Sequence, residues 1–81
     1  SKDNIIGADA SLLAASDVVI KSIGSDADAT NGDYDGNQIY SSSINSEEGN
    51  VTITAVALNA LGDAQVTAEK GNVNLDDPTL F

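Results

Sequence analysis

The side chains with the greatest capacity for chemistry in this chain lie in a short acidic stretch. Residues 31–36 read NGDYDG, which sets Asn31, Asp33 and Asp35 at alternate positions before a turn-forming glycine. This spacing matches positions 1, 3, 5 and 6 of a calcium loop, whose hard oxygen ligands suit Ca²⁺. Asp28 lies close enough in sequence to supply a further oxygen. The stretch predicts either a calcium site with these four ligands or a solvated acidic loop.

The second half of the calcium pattern is absent from the sequence. Gln38 stands where an apolar residue is usual, and Ser42 stands where a bidentate Glu belongs. We therefore expect no cofactor other than a possible Ca²⁺ ion.

Catalysis is disfavoured by what the chain lacks. It has no His to act as a general base near neutral pH, no Cys to act as a nucleophile and no Arg to clamp a phosphate. A catalytic pair of carboxylates needs a cleft that holds a sugar, and 81 residues scarcely form one. The sequence predicts that this protein is not an enzyme.

One aromatic side chain lies within the acidic stretch and another follows it. Tyr34 and Tyr40 offer ring faces that could contact a carbohydrate or a protein. The alternative is that each ring covers nearby core residues. We retain both as candidate partner-binding residues.

The elements that position these residues are indicated by an internal repeat. Residues 44–53 (INSEEGNVTI) and 66–75 (VTAEKGNVNL) match with a constant offset of 22, and residues 12–20 match after the deletion of one residue. Repeats of this length are typical of solenoids, whose units must stack because none buries its apolar face alone. The sequence predicts an all-β fold, a β-solenoid of about three short coils.

Alternating apolar and polar residues predict short strands within each repeat. The predicted strands are residues 42–46, 51–54, 64–68 and 73–75. The Gly-Asn pairs before the second and fourth strands are expected to form corners that tolerate positive φ. Stacked asparagines at positions 50, 72 and 74 are expected to form hydrogen-bonded ladders between coils.

A helical alternative exists for two segments. Asp9 could cap a helix that extends to Lys21, and residues 55–61 could form another. We prefer strands, because helices leave the offset of 22 unexplained.

The repeat is interrupted once. Val51 follows Val18 at an offset of 33 instead of 22, and the excess falls in residues 24–38, which are polar and acidic. We expect a single solenoid segment over residues 1–81, with a loop insertion at 24–38 and a C-terminal tail at 78–81.

Three stretches carry a resemblance to a known family: NIIGADASLLAASDVVIKS, SSSINSEEGNVTITA and AQVTAEKGNVNLDD. They resemble the repeats of filamentous-haemagglutinin-type exoproteins, which include the contact-dependent inhibition proteins of bacterial two-partner secretion. The resemblance implies a right-handed parallel β-helix within a secreted stalk on a bacterial cell surface. It also implies a role in adhesion or in delivery to a neighbouring cell.

Charge restricts the partners. Thirteen acidic residues against three Lys give a net charge of −10, which repels nucleic acid and anionic membranes, and no apolar run is long enough for membrane insertion. We expect a structural and adhesive segment that presents its loop to a protein or glycan on another cell. The alternatives are a self-assembling filament subunit, in which copies stack end to end, and a small calcium-dependent binding module.

Overall fold

The computed structural model describes residues 4–26 and 35–76 together with the backbone of residues 78–80. Within these ranges the chain forms strands and no helix, which confirms the predicted all-β class. The strands are β1 (Asn4–Ile6), β2 (Ser11–Ala14), β3 (Val18–Ser22), β4 (Gly36–Tyr40), β5 (Ser43–Ser46), β6 (Val51–Ala55), β7 (Leu58–Gly62), β8 (Gln65–Ala68), β9 (Val73–Leu75) and β10 (Pro78–Leu80).

The strands build three parallel sheets around one core. Sheet A has the order β1-β4-β7-β10, sheet B has β2-β5-β8, and sheet C has β3-β6-β9. Since each sheet takes every third strand, β1 to β3 form coil 1, β4 to β6 form coil 2, β7 to β9 form coil 3, and β10 begins a fourth. The predicted parallel β-solenoid of about three coils is therefore confirmed. Its right-handed winding stays an expectation from the resemblance.

The strand register explains the repeat. Val51 pairs with Val18 on one side and with Val73 on the other, so the offsets seen in the sequence are the spacings between stacked residues. In sheet B, Ile44 pairs with Leu12, one position closer in sequence than the partners in sheet C. The one-residue deletion expected in the upstream copy therefore lies between β2 and β3. The inward-facing aliphatic residues therefore stack in columns, such as Leu12, Ile44 and Val66 in sheet B and Ile20, Ile53 and Leu75 in sheet C.

The core is a stack of aliphatic side chains centred on coil 2. Ile39, Ile44, Val51 and Ile53 are almost fully buried. The residues that pair with them in coils 1 and 3 extend the same columns and become more exposed toward the ends. Burial of aliphatic carbon is the main stabilising term in folding. Because a middle coil has neighbours on both sides, its side chains are the best packed.

The helical alternative was wrong for both segments. Between residues 9 and 21 the chain forms β2 and β3, and residues 55–61 contain the end of β6 and most of β7. Pairing with strands in the next coil overrides the local helix propensity, as tertiary contacts often do. Leu13 and Val19, which a helix would place near a common apolar face, instead point outward from two different sheets.

Two predicted boundaries differ from the structure. The insertion was expected to end at Gln38, but β4 begins at Gly36, so residues 36–38 belong to a strand and the acidic insertion covers residues 24–35. The tail at 78–81 contributes β10, which pairs with β7. Pro78 lies beside Asn59, so the step from β7 to β10 is shorter than the repeat by three positions.

The glycine corners work differently from the prediction. Gly36, with φ of 141°, is the one described glycine at positive φ, so Gly49 and Gly71 do not need that region. They are required by close stacking instead. A Cβ at residue 49 would lie 2.7 Å from the backbone nitrogen of Asp17, and a Cβ at residue 71 would lie 2.9 Å from the backbone carbon of Gly49. Positive φ is found at the corners between sheets A and B, at Ala8, Asp9, Ser41 and Asp63.

Replacing Gly49 with Ala is expected to lower the free energy of unfolding by about 1–3 kcal/mol, because the added methyl group overlaps backbone atoms of coil 1. Gly49→Asn should be at least as destabilising. Urea unfolding followed by circular dichroism measures both, with the exposed Glu47→Ala as the control. If Asn is tolerated while Ala is not, positive φ rather than stacking explains this glycine.

Candidate functional site

The base of the acidic insertion is closed by two hydrogen bonds. The Asp35 backbone N–H donates to the carbonyl oxygen of Asp26 over 2.7 Å, and the Asp26 N–H donates to the Asp35 carboxylate over 3.1 Å. Asp35 is buried, and its side chain lies against Gly24. The two ends of the insertion are thus held together where the chain passes from coil 1 to coil 2.

The predicted calcium ligands are only partly within the described structure. Asp35 is described, whereas Asp28, Asn31 and Asp33 lie outside the described residues. Across residues 4–26 and 35–76, no three His, Cys, Asp or Glu side chains are grouped so that they could hold a metal ion. The Asp35 carboxylate accepts a hydrogen bond from the backbone amide of Asp26. Calcium binding by the full set stays a prediction, and a chelator-dependent circular dichroism spectrum would support it.

Two further positions of the calcium pattern have structural roles. Gln38 lies within β4, where it pairs with Ile5 and Ala60. Ser42 is buried, and its hydroxyl donates to the carbonyl oxygen of Tyr40 over 2.8 Å. Gln38 therefore belongs to the pairing between coils, and Ser42 makes a local hydrogen bond at the corner between β4 and β5.

Of the two candidate aromatic residues, only Tyr40 lies within the described structure. The ring of Tyr40 lies against Gly7, where any Cβ would meet it, yet 47% of the residue is exposed. It both covers the backbone of coil 1 and presents a surface to solvent. Tyr34 lies outside the described residues. Partner binding by either tyrosine stays a prediction.

A buried asparagine ladder runs through sheet A. The Asn4 amide donates to Asn37 Oδ1 over 2.8 Å, and the Asn37 amide donates to Asn59 Oδ1 over 2.7 Å. Asn37 also donates to the Thr54 carbonyl oxygen over 2.9 Å, and Asn59 donates to that of Asp76. Among the described residues, no buried side-chain nitrogen or oxygen lacks a partner. The ladder thus joins sheet A by hydrogen bonds to the end of β6 and to the residue that follows β9.

Sequence reasoning missed this ladder, although a signal for it was present. Asn4, Asn37 and Asn59 follow one another at offsets of 33 and 22, which also relate the valines of sheet C. They were overlooked because Asn37 was assigned to the loop and Asn59 to a possible helix. A search for any residue type repeated at those offsets would have found them.

The predicted ladder at the glycine corners is confirmed in part. The Asn50 N–H donates to Asp17 Oδ1 and the Asn72 N–H donates to Asn50 Oδ1, both over 2.8 Å. These bonds join side chains to backbone amides rather than amide to amide. Asn74 is exposed on the outer face of β9, beside Thr52. The corner is thus a continuous hydrogen-bonded column through all three coils.

A shallow groove of about 390 Å³ follows the corner between sheets A and B. Its lining includes Asp9, Asp63 and the serines at 41–43. The Asp9 N–H donates to the Ser41 carbonyl oxygen, and the Ser41 N–H donates to that of Gly62, both over 2.9 Å. The groove is therefore the outer side of the stacked corner between sheets A and B. Backbone hydrogen bonds between coils hold the residues with positive φ in place there.

Comparison with known proteins gives no relative: no protein-family model, curated protein or solved structure matches this chain. Within the described ranges there is also no helix long and apolar enough to cross a membrane. The functional proposal therefore depends on the solenoid geometry and on the resemblance of the repeats.

Proposed function

We propose that this chain is a structural and adhesive segment of a secreted bacterial surface exoprotein of the filamentous-haemagglutinin type. In this role the solenoid is a rigid support without a catalytic step. Its acidic insertion is the part presented to a protein or glycan on another cell.

The observation that carries the proposal is the way the support holds the insertion. Coils 1 and 2, between which the insertion emerges, are joined by the asparagine ladder in sheet A and by the column of Asp17 and Asn50 at the opposite corner. The two hydrogen bonds between Asp26 and Asp35 then hold the base of the insertion closed. Binding segments are commonly loops positioned by a rigid scaffold, and this arrangement is of that kind.

The solenoid surface also supports a structural role. Outward-facing residues of coils 2 and 3 include Asn45, Thr52 and Thr67, which are polar. An exposed ion pair joins Lys70 to Glu48 over 3.1 Å, again between adjacent coils. Exposed pairs of this type contribute at most about 1 kcal/mol. The polar residues and this ion pair are consistent with a regular, polar outer surface.

Replacing residues 27–34 with a short Gly-Ser linker is expected to reduce binding to target cells by at least about tenfold, the loss of roughly 1.4 kcal/mol. The fold should persist, because Asp26 and Asp35, which close the base of the insertion, are retained. Binding of the fluorescently labelled chain to bacterial and host cells measures the effect. The double substitution Glu47→Gln with Glu48→Gln is the control, since it removes two exposed carboxylates and leaves the insertion intact. Equal binding by the linker variant would contradict the proposal.

The filament alternative is favoured by the incomplete burial at the ends of the stack. In coil 3 the inward residues Val66, Val73 and Leu75 are partly or largely exposed, whereas their counterparts in coil 2 are almost fully buried. A further coil would cover them. In a filament that coil would come from another copy, and light scattering by the purified chain distinguishes this alternative.

A further inference from the structure

The sequence contains one Asn-x-Thr motif, formed by Asn50, Val51 and Thr52. An Asn followed two positions later by Ser or Thr is the acceptor motif for N-linked glycosylation, where x is any residue except proline. No other Asn of the chain is followed two positions later by Ser or Thr. A motif of three residues also arises by chance, so its structural setting decides whether it can serve as an acceptor.

The motif lies at the corner between sheets B and C of coil 2. Asn50 is exposed immediately before β6, Val51 is fully buried, and Thr52 is half-buried in the strand. Successive side chains of a strand point to opposite sides, so Asn50 and Thr52 lie together on the outer side. The acceptor amide and the required hydroxyl are therefore both on the solvent side of the solenoid.

The hydrogen bonds of Asn50 leave the nitrogen of its side chain unused. Its backbone N–H donates to Asp17 Oδ1 over 2.8 Å, and its backbone carbonyl oxygen accepts from the Val18 N–H over 2.9 Å. Its side-chain Oδ1 accepts from the Asn72 N–H over 2.8 Å. Within residues 4–26 and 35–76, its Nδ2 donates no hydrogen bond. The fold thus holds this side chain by its oxygen.

The surroundings of the Asn50 amide leave space for a sugar. Gly49 precedes it in the chain, and Gly71 in coil 3 lies so close to Asn50 Oδ1 that any Cβ there would meet it. Glu48 and Lys70, on the same corner, pair with each other over 3.1 Å, and their side chains are largely exposed. Neither glycine carries a side chain that would cover the amide.

The same corner in coils 1 and 3 lacks one of the two acceptor groups. In coil 1 the positions of the motif's Asn and Thr are held by Asp17 and Val19. In coil 3 they are held by Asn72 and Asn74. Coil 1 therefore lacks the amide, and coil 3 lacks the hydroxyl. The repeat provides an internal control for the motif in coil 2.

We propose that Asn50 is an acceptor site for N-linked glycosylation. The proposal rests on the proposed secreted role, since this motif is modified on the surface of secreted proteins. In the transfer, Nδ2 forms a bond to the anomeric carbon of a sugar that is carried as a nucleotide or lipid diphosphate. The bond from that carbon to the diphosphate oxygen breaks, and its electron pair leaves with the diphosphate. One Nδ2 proton passes to a base of the transferase.

The modified side chain retains the group that the fold uses. Oδ1 is unchanged by the transfer, so the hydrogen bond from the Asn72 N–H remains. The sugar lies at the corner between sheets B and C, whereas the acidic insertion emerges between β3 of sheet C and β4 of sheet A. Glycosylation therefore leaves both the fold and the insertion intact.

Co-expression of the chain with a bacterial N-glycosyltransferase that uses UDP-glucose tests the proposal, and peptide mass spectrometry locates the sugar. The expected result is one hexose at Asn50 and none at any other Asn. Thr52→Val retains the branched shape of the side chain and should abolish the modification. Asn74→Thr is the matched gain-of-motif variant and should add a second hexose at Asn72. Since no target cells are present, the result is independent of the adhesion measurement.

An unmodified Asn50 would overturn the proposal when a free peptide of residues 47–54, supplied to the same transferase, is modified. A hexose at Asn50 in the Thr52→Val variant, or at Asn72 in the parent chain, would also overturn it, because the motif would then not select the site. Urea unfolding followed by circular dichroism should give the same midpoint for modified and unmodified chains. A lower midpoint for the modified chain would show that the stacked corner does not accommodate a sugar.

Discussion

Asn37→Leu is expected to lower the free energy of unfolding by about 3–5 kcal/mol. The substitution removes the donor to the Thr54 carbonyl oxygen and to Asn59 Oδ1, and it also removes the acceptor for the Asn4 amide. A buried polar group left without a partner costs about 1–3 kcal/mol. Since a chain of this length is stable by only about 4–12 kcal/mol in total, much of its stability depends on this one side chain.

The matched control is Asn74→Leu, the same chemical change on the exposed face of β9. It should alter stability by no more than about 0.5 kcal/mol. Urea denaturation followed by circular dichroism measures both variants. Buried polar groups can sometimes be replaced by apolar ones without loss. An Asn37→Leu variant as stable as the parent would show that the ladder is not a major stabilising element.

Ile53→Ala is expected to lower the free energy of unfolding by about 3–4 kcal/mol. Ile53 is 0% exposed and lies between Ile20 and Leu75 in the neighbouring coils. The substitution removes three carbons, each worth about 0.8 kcal/mol of transfer free energy, and leaves a cavity that the coils above and below cannot fill.

Leu75→Ala is the matched control for Ile53→Ala, because it removes the same number of carbons from the same column. Leu75 is 39% exposed, so we expect a loss of about 1 kcal/mol. Thermal and urea unfolding of the two variants at the same low concentration provide the comparison. Equal losses at the two positions would mean that coil 3 is as well covered as coil 2, which contradicts the burial described above.

The sequence predicted sheets B and C much better than sheet A. In β6 and β9 the alternation of Val, Ile and Leu with polar residues identifies strands, and the shared Gly-Asn-Val identifies their register. In sheet A the inward positions of β4 and β7 include Asn37 and Asn59, which break the apolar alternation. A strand that buries an amide is read as a loop or a helix unless its partner in the next coil is known.

The corner glycines show that the structural reason for a repeated pattern can lie in the neighbouring coil. Gly-Asn is a common turn signal, and positive φ is its usual explanation. Here the constraint comes from Asp17, which is distant from Gly49 in sequence and adjacent to it in space. Local sequence holds no information about that contact.

The candidate site was predicted less completely than the fold. Asp35 was expected to be a metal ligand; its carboxylate accepts a hydrogen bond from the backbone amide of Asp26, and metal binding by this residue stays a prediction. Tyr40 was expected to contact a partner or to cover the core, and it covers Gly7 with half of its surface exposed. The register also places Leu13, Asn45 and Thr67 in one outward column, which is apolar in coil 1 and polar in coils 2 and 3, and this could not be seen before the strands were aligned.

The central claim is that in sheets A and C the middle residues of coil 2, residues 37–39 and 51–53, lie between an upstream counterpart at an offset of 33 and a downstream counterpart at an offset of 22. Nuclear Overhauser contacts in the isotope-labelled chain test it most directly. The account predicts that the backbone of Val51 contacts Val18 and Val73, and that the side-chain amide of Asn37 contacts Asn4 and Asn59. Helical contacts between every third residue across 9–21 or 55–61, or strand contacts at other offsets, would contradict it.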